Sequence, residues 1–163
     1  MSGTGRQLSV VLLADHPGFV DNLVQWYESE WGPYYGPRGP GDARADLESR
    51  CNRRRLPIGF VALRDNRLLG TAALDRDPAT GKSPSIVGLL VAPDFRHTGV
   101  ASALLDFAEG LARELGYNEL FMSTAILGEH VKRRGWQEQG GVEFLNDQRG
   151  TLYVCPLTMG RSP

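Results

Sequence analysis

Apolar positions along the chain fall into two rhythms. Short unbroken runs read as buried strands: LSVVLLA (8–14), SIVGLLV (85–91) and the core of NELFMST (118–124). In IGFVALRDNRLLGTAALD, two such runs flank Asp65-Asn66, a turn pair, so residues 58–75 are expected to form a hairpin. Near the end, VEFLND and TLYVCPL are expected to be two further strands joined around Gln148-Arg149-Gly150. Between these runs the spacing changes to three and four. Phe19, Leu23, Trp26 or Tyr27, and Trp31 share a face, with Pro17 suited to a first helical turn, and Phe19, Leu23 and Trp26 are the expected core contacts.

A second helix is expected through ARADLESRCNRRR, capped by Asp42, with Arg53, Arg54 and Arg55 solvated at its negative end. After Pro93 the set Val100, Leu104, Phe107 or Ala108, Leu111 and Leu115 predicts a longer helix, with Gly116 in the C-terminal capping place. AILGEHVKRRG is a short helix ending at Gly135. The segment GPYYGPRGPG (32–41), with four glycines and three prolines, is expected to form no regular element, yet carries two tyrosines. The order predicts one α+β domain over 1–163: a central mixed, mostly antiparallel sheet of about seven strands, flanked by about four helices, with one βαβ crossover in the middle.

Composition narrows the function classes. The chain has 163 residues, a formal net charge of -1, 41% hydrophobic and 23% charged residues. That is ordinary for one globular domain, and the near-neutral balance argues against a nucleic-acid surface. No run approaches a membrane span, and SVVLLA is too short for a signal-peptide core, so a cytoplasmic protein without membrane contact is expected. Cys51 and Cys155 stand far apart with no metal-like spacing, as idle thiols of a reducing compartment would.

The stretch that carries chemistry is RHTGVA (96–101), between a buried strand and a helix. The first amides of a helix lack intrahelical partners, and the dipole makes that end electropositive, so the corner suits a phosphate. Gly99 lets an anion approach the backbone and Ala101 keeps the next turn open, while Arg96 and Thr98 offer charge and a hydroxyl. The alternative is an ordinary strand-to-helix turn. It is neither a P-loop nor a dinucleotide fingerprint, since no Gly-Lys-Ser/Thr follows and only one glycine is present.

The wider stretch 86–136 resembles the GNAT superfamily of acetyl-coenzyme-A-dependent N-acetyltransferases. Its signature (Arg or Gln, two variable residues, Gly, one variable residue, Gly or Ala) is filled by Arg96, Gly99 and Ala101, preceded by Val91-x-Pro93; Gly135-Trp136 stands for the later Gly-Phe. The resemblance implies acetyl-CoA as co-substrate. The backbone of Arg96, His97, Thr98, Gly99, Val100 and Ala101 would hold its diphosphate, and Leu89, Leu90 and Val91 would pair with the pantetheine arm. That strand would splay from NELFMST, and a backbone N–H near Leu90 or Val91 would face the thioester oxygen.

Direct transfer to a primary amine also needs help with a proton. Many relatives carry a Glu on the strand before the turn, where SIVGLLV has no carboxylate, and a Tyr four residues before Gly-Phe, where Val131 stands. The candidates here are His130, which titrates near neutrality, and Tyr35, with Glu143 and Tyr153 behind them. Trp31, Tyr34 and Tyr35 are expected to line the acceptor entrance. A small amine, an aminoglycoside-like ligand or a peptide N-terminus all remain open as acceptors, as does a homodimer using the final strands near Phe144 and Tyr153. Two other functions compete: a catalytically silent acyl-CoA sensor, and a small α+β protein with no coenzyme.

Overall fold

The computed structural model describes residues 7–144 and 147–157. Its seven strands are β1 (Ser9–Leu12), β2 (Ile58–Arg64), β3 (Arg67–Asp75), β4 (Ser85–Val91), β5 (Glu119–Thr124), β6 (Gln137–Glu143) and β7 (Arg149–Pro156). They form one mixed, twisted sheet in the order β1-β2-β3-β4-β5-β7-β6. All neighbours are antiparallel except β4 and β5, which are parallel. The helices are α1 (Val20–Glu30), α2 (Gly32–Tyr35), α3 (Ala43–Ser49), α4 (Val100–Glu114) and α5 (Gly128–Arg133). Helix α4 makes the β4–β5 crossover, so the α+β architecture and the single βαβ unit are as the pattern predicted.

Two apolar clusters hold the two faces. Val100, Leu104, Leu105, Ala108 and Ala112 of α4 pack on Phe60, Ala72, Leu74 and Ile86 of one face. Leu23, Val24 and Tyr27 of α1, with Leu47 of α3, pack on Val61, Leu63 and Leu90 of the other. The hairpin turn has Asp65 at φ 55° and Asn66 at φ 63°, the pair of left-handed residues that a two-residue turn between twisted strands requires. Asp42 caps α3 as expected, its carboxylate accepting from Ala45 N–H at 3.0 Å. Gly116 takes φ 90° just past α4.

Several expectations need correction. The segment 32–41 does contain a regular element, because Pro33 at the start of α2 is tolerated where amides have no helical partner; α2 is the helix beyond the four expected. Tyr27, not Trp26, is the buried aromatic of α1. Residues 13–15 leave the first strand as a 3-10 turn. Helix α3 stops at Ser49, short of the arginine triplet. There the Asn52 side-chain amide donates to the carbonyls of Ser49 and Pro57, both at 2.8 Å, and turns the chain toward β2. Arg53 instead pairs with Asp15. Strand β6 begins at Gln137, earlier than VEFLND suggested, because QEQGGVE is exposed on both faces of an edge strand and shows no alternation. Leu145 and Asn146 of that motif lie outside the described residues. Among those described, no helix is long and apolar enough to cross a membrane.

Candidate active site

The centre of the sheet is open. Strands β4 and β5 share only the register pair Ser85↔Phe121, and the rest of β4 has no partner on that side. A gap therefore runs from Ile86 to Val91 on one side and from Met122 to Thr124 on the other.

On its other side β4 pairs with β3, but the register slips: Ala73 faces Val87 and Thr71 faces Leu90. Gly88 and Leu89 together oppose Ala72, a bulge, with Gly88 at φ 62°. The extra residue resets the alternation. Ile86, Leu89 and Val91 all face the α4 side, while Leu90 joins the α1 side. Tyr27 reaches the bulge from α1, its hydroxyl donating to the Gly88 carbonyl at 2.9 Å and accepting from Arg50 Nη1 at 3.0 Å. Gly88 has to be glycine twice over, since a Cβ there would lie 2.3 Å from the Tyr27 hydroxyl.

Beyond β4, a 3-10 turn at Pro93–Phe95 leads to the N-terminus of α4. Gly99 is its N-cap, at φ 94°, and no side chain caps the helix. Ala103 N–H is the first α4 amide to bond back, to Gly99 C=O at 3.1 Å; among the described residues none of the six amides from His97 to Ser102 donates a hydrogen bond. His97, at φ 64°, and Gly99 are both left-handed, a geometry that turns neighbouring amides into an anion-holding concavity. A Cβ on Gly99 would meet nothing within 4 Å. The corner thus fits a diphosphate through its backbone.

Its side chains are directed elsewhere. Arg96 Nε donates to Val91 C=O at 3.0 Å and Nη2 lies 3.5 Å from Glu30. The Thr98 hydroxyl donates to Phe95 C=O. A cavity of about 340 Å³ beside this end of β4 is lined by Trp26, Glu30, Leu90, Val91, Pro93 and Arg96.

His130 of α5 stands beside the first turn of α4, its Nε2 3.2 Å from Ser102 Oγ. Burial, with help from Arg134 and Arg133, lowers its pKa below the usual 6.5, so the ring is neutral at pH 7. Its resonances should titrate by NMR with a midpoint below 6.5. The stability held by the neutral ring is present above the unfolded-state value and lost as pH falls through the folded one. A midpoint above 6.5 would contradict this placement. The neighbouring Val131 is fully buried, and Trp136 is also in the core with Nε1 donating to Glu109 at 3.0 Å.

The aromatic residues of the α1–α3 region form one cluster rather than a loose loop. Tyr27 meets Trp31 edge-on at 4.9 Å between centroids and Tyr35 at 5.4 Å, and Tyr34 meets Tyr35 at 4.8 Å. The Tyr35 hydroxyl donates to Asp46 Oδ2 at 2.7 Å, and burial together with that carboxylate drives its pKa far above the usual range for a phenol. Tyr153 is buried beneath the first turn of α5, not at the sheet edge; Glu143 lies on the edge strand β6. Sequence reasoning missed Arg50 and Gly88. A glycine inside an apolar run is a bulge signal that was there to be used; nothing in the sequence distinguishes Arg50 from the other arginines near it.

Comparison with known proteins bears on this geometry. The family model described as "Acetyltransferase (GNAT) family" matches residues 23–136. An amino-acid acetyltransferase of Azotobacter vinelandii is 37% identical over 93 residues, 57% of this chain and 21% of the relative. The chain thus spans about a fifth of the length of the curated relatives it matches. Among solved structures, aminoglycoside 6'-N-acetyltransferase complexed with coenzyme A superposes with TM-score 0.73 at 13% identity, covering 96% of this chain and 99% of that one. N-acetylglutamate synthase from Neisseria gonorrhoeae, complexed with coenzyme A and N-acetyl-glutamate, gives 0.66 at 21% identity, covering 93% of this chain and 35% of that one. The splayed β4–β5 pair, the bulge and the uncapped helix corner all lie within the matched segment, and the chain belongs to the GNAT acetyltransferase family.

Proposed function

We propose that this chain moves the acetyl group of acetyl-CoA directly to a primary amine. The observation that carries this is the gap between β4 and β5, which ends at six undonated amides at the start of α4. Backbone groups of Arg96, His97, Thr98, Gly99, Val100 and Ala101 hold the coenzyme diphosphate. Leu89, Leu90 and Val91, free on the gap side, pair with its pantetheine arm, and an amide near the bulge faces the thioester oxygen as charge develops there.

The acceptor enters from the aromatic side, along Trp31, Tyr34 and Tyr35. Tyr35 acts by shaping that side, since its proton is held on Asp46 and its pKa is driven up. His130, neutral at pH 7 and bonded to Ser102, accepts the proton shed by the amine. The free Cys51 and Cys155 suit a cytoplasmic setting. The names of the relatives put amino acids and aminoglycosides first among amines to try.

Acetyl-CoA at a hundred times its Kd should stabilise the protein by about 2.7 kcal/mol, raising Tm by roughly 5–11 °C. Thiol release across an amine panel should then identify the acceptor. No shift at millimolar acetyl-CoA would overturn the proposal. A shift without thiol release on any amine favours the second reading, a silent acyl-CoA sensor, for which the buried Val131 and the carboxylate-free β4 argue.

A further inference from the structure

Arg50 is a buried cation without a counter-ion. It is 7% exposed, and among the described residues no carboxylate lies within ion-pair distance of it. Nη1 donates to the Tyr27 hydroxyl, the guanidinium's one hydrogen bond among the described residues. Nε is buried with no partner, whereas Nη2, unbonded too, is not among the buried orphaned atoms and so retains contact with solvent. Asp75 and Asp46 act on it only from beyond ion-pair distance, and Asp46 is already bonded to Tyr35. A guanidinium in this state carries a desolvation cost that no direct ion pair offsets, and buried charges are as a rule paired, so an anion on it would complete the site.

Where the side chain lies gives that cost a purpose. Arg50 crosses the sheet face over two glycines: a Cβ on Gly59 of β2 would lie 3.1 Å from Arg50 Cβ, and one on Gly88 of β4 would lie 3.0 Å from Nη1. Its charged end therefore sits at the bulge, on the α1 face. Strand rise of about 3.3 Å per residue puts this roughly 10 Å before the end of β4 at Val91, upstream of the diphosphate corner. The coenzyme phosphates have their own amides there, so the anion meant for Arg50 belongs to the other substrate.

We infer that Arg50 binds a carboxylate on the acceptor, and that the enzyme acetylates amino acids through a guanidinium fork at the β4 bulge. This rests on the acetyltransferase reading above and names the substrate class for it. An α-amino acid holds its amine two bonds from the carboxylate carbon, so a carboxylate on Nη2 brings the amine toward Gly88 and Leu89, beside the gap. The planar guanidinium can hold Tyr27 through Nη1 and a carboxylate through Nη2 at once, which a point charge could not do with the same fixed geometry.

The test compares each common α-amino acid with its methyl ester, which keeps size and amine but removes the charge. Wild type should favour the acid of its preferred pair by ~100-fold in kcat/KM, the scale on which one partner of a buried charge pair is lost. Arg50→Gln should raise KM for the acid, leave KM for the ester unchanged, and keep the acetyl-CoA thermal shift. Equal use of acid and ester by the wild type overturns the inference, whether or not the variant folds; so does a loss in Arg50→Gln that is the same for both. If no amine in the panel is acetylated, calorimetric binding of the same pairs decides, with ester bound as tightly as acid counting against Arg50. An absent acetyl-CoA shift strikes the acetyltransferase reading instead, so the two failures are distinguishable.

Discussion

Gly99→Glu should abolish the acetyl-CoA thermal shift while leaving the far-UV circular dichroism spectrum unchanged. The physical argument is local. Gly99 stands in a left-handed conformation in front of amides that have no partner within the described fold, and its missing side chain faces open space. A carboxylate there puts like charge against a diphosphate and covers the donors that would hold it. Affinity should fall by at least ~100-fold, equivalent to about 2.7 kcal/mol. The fold should pay only the strain of a non-glycine residue at positive φ, on the order of 1–2 kcal/mol. Gly99→Ala isolates that strain, since its Cβ touches nothing within 4 Å; it should melt slightly lower and still respond to acetyl-CoA. If Gly99→Glu binds the coenzyme as well as the native chain does, the α4 corner is not the phosphate site.

Gly88→Ala should be strongly destabilising and should also slow acetyl transfer. The added carbon would sit 2.3 Å from the Tyr27 hydroxyl, in a side chain that is 1% exposed and held on both sides by hydrogen bonds. Overpacking, positive-φ strain and displacement of the Tyr27 bond together should cost about 2–4 kcal/mol in urea unfolding. Acetyl transfer should fall as well, because the same shift moves the bulge that aims Leu89 at the gap. Tyr27→Phe removes the colliding oxygen, so the double variant should lose less stability than the sum of the two single losses. Strict additivity would show that the hydroxyl is not what forbids a side chain at Gly88.

These two glycines were not equally visible beforehand. Gly99 could be found because it sits in a six-residue pattern at a strand–helix junction. Gly88 carries only the general bulge signal of a glycine inside the apolar run SIVGLLV; the β3 register alone shows that it opposes Ala72 together with Leu89. Tyr34 and Tyr35 were recognised as unusual in a glycine- and proline-rich stretch, but their setting was misjudged. They belong to a short helix, and Tyr35 packs on Tyr27 and bonds Asp46.

Local chemistry explains what the sequence by itself determined. Unbroken apolar runs, Asp65-Asn66, the Asp42 cap and the 3.6-residue stripe of α4 each act over a few neighbouring residues, so they fixed the element order, the hairpin and the crossover. The tertiary structure decided the rest: that β4 parts from β5 after a single register pair, that α1 sends Tyr27 rather than Trp26 inward, and that Arg50 lies beneath the sheet's centre without a carboxylate. Those outcomes depend on register, on which helix covers which face, and on desolvation, and none of these is a property of any short stretch of chain.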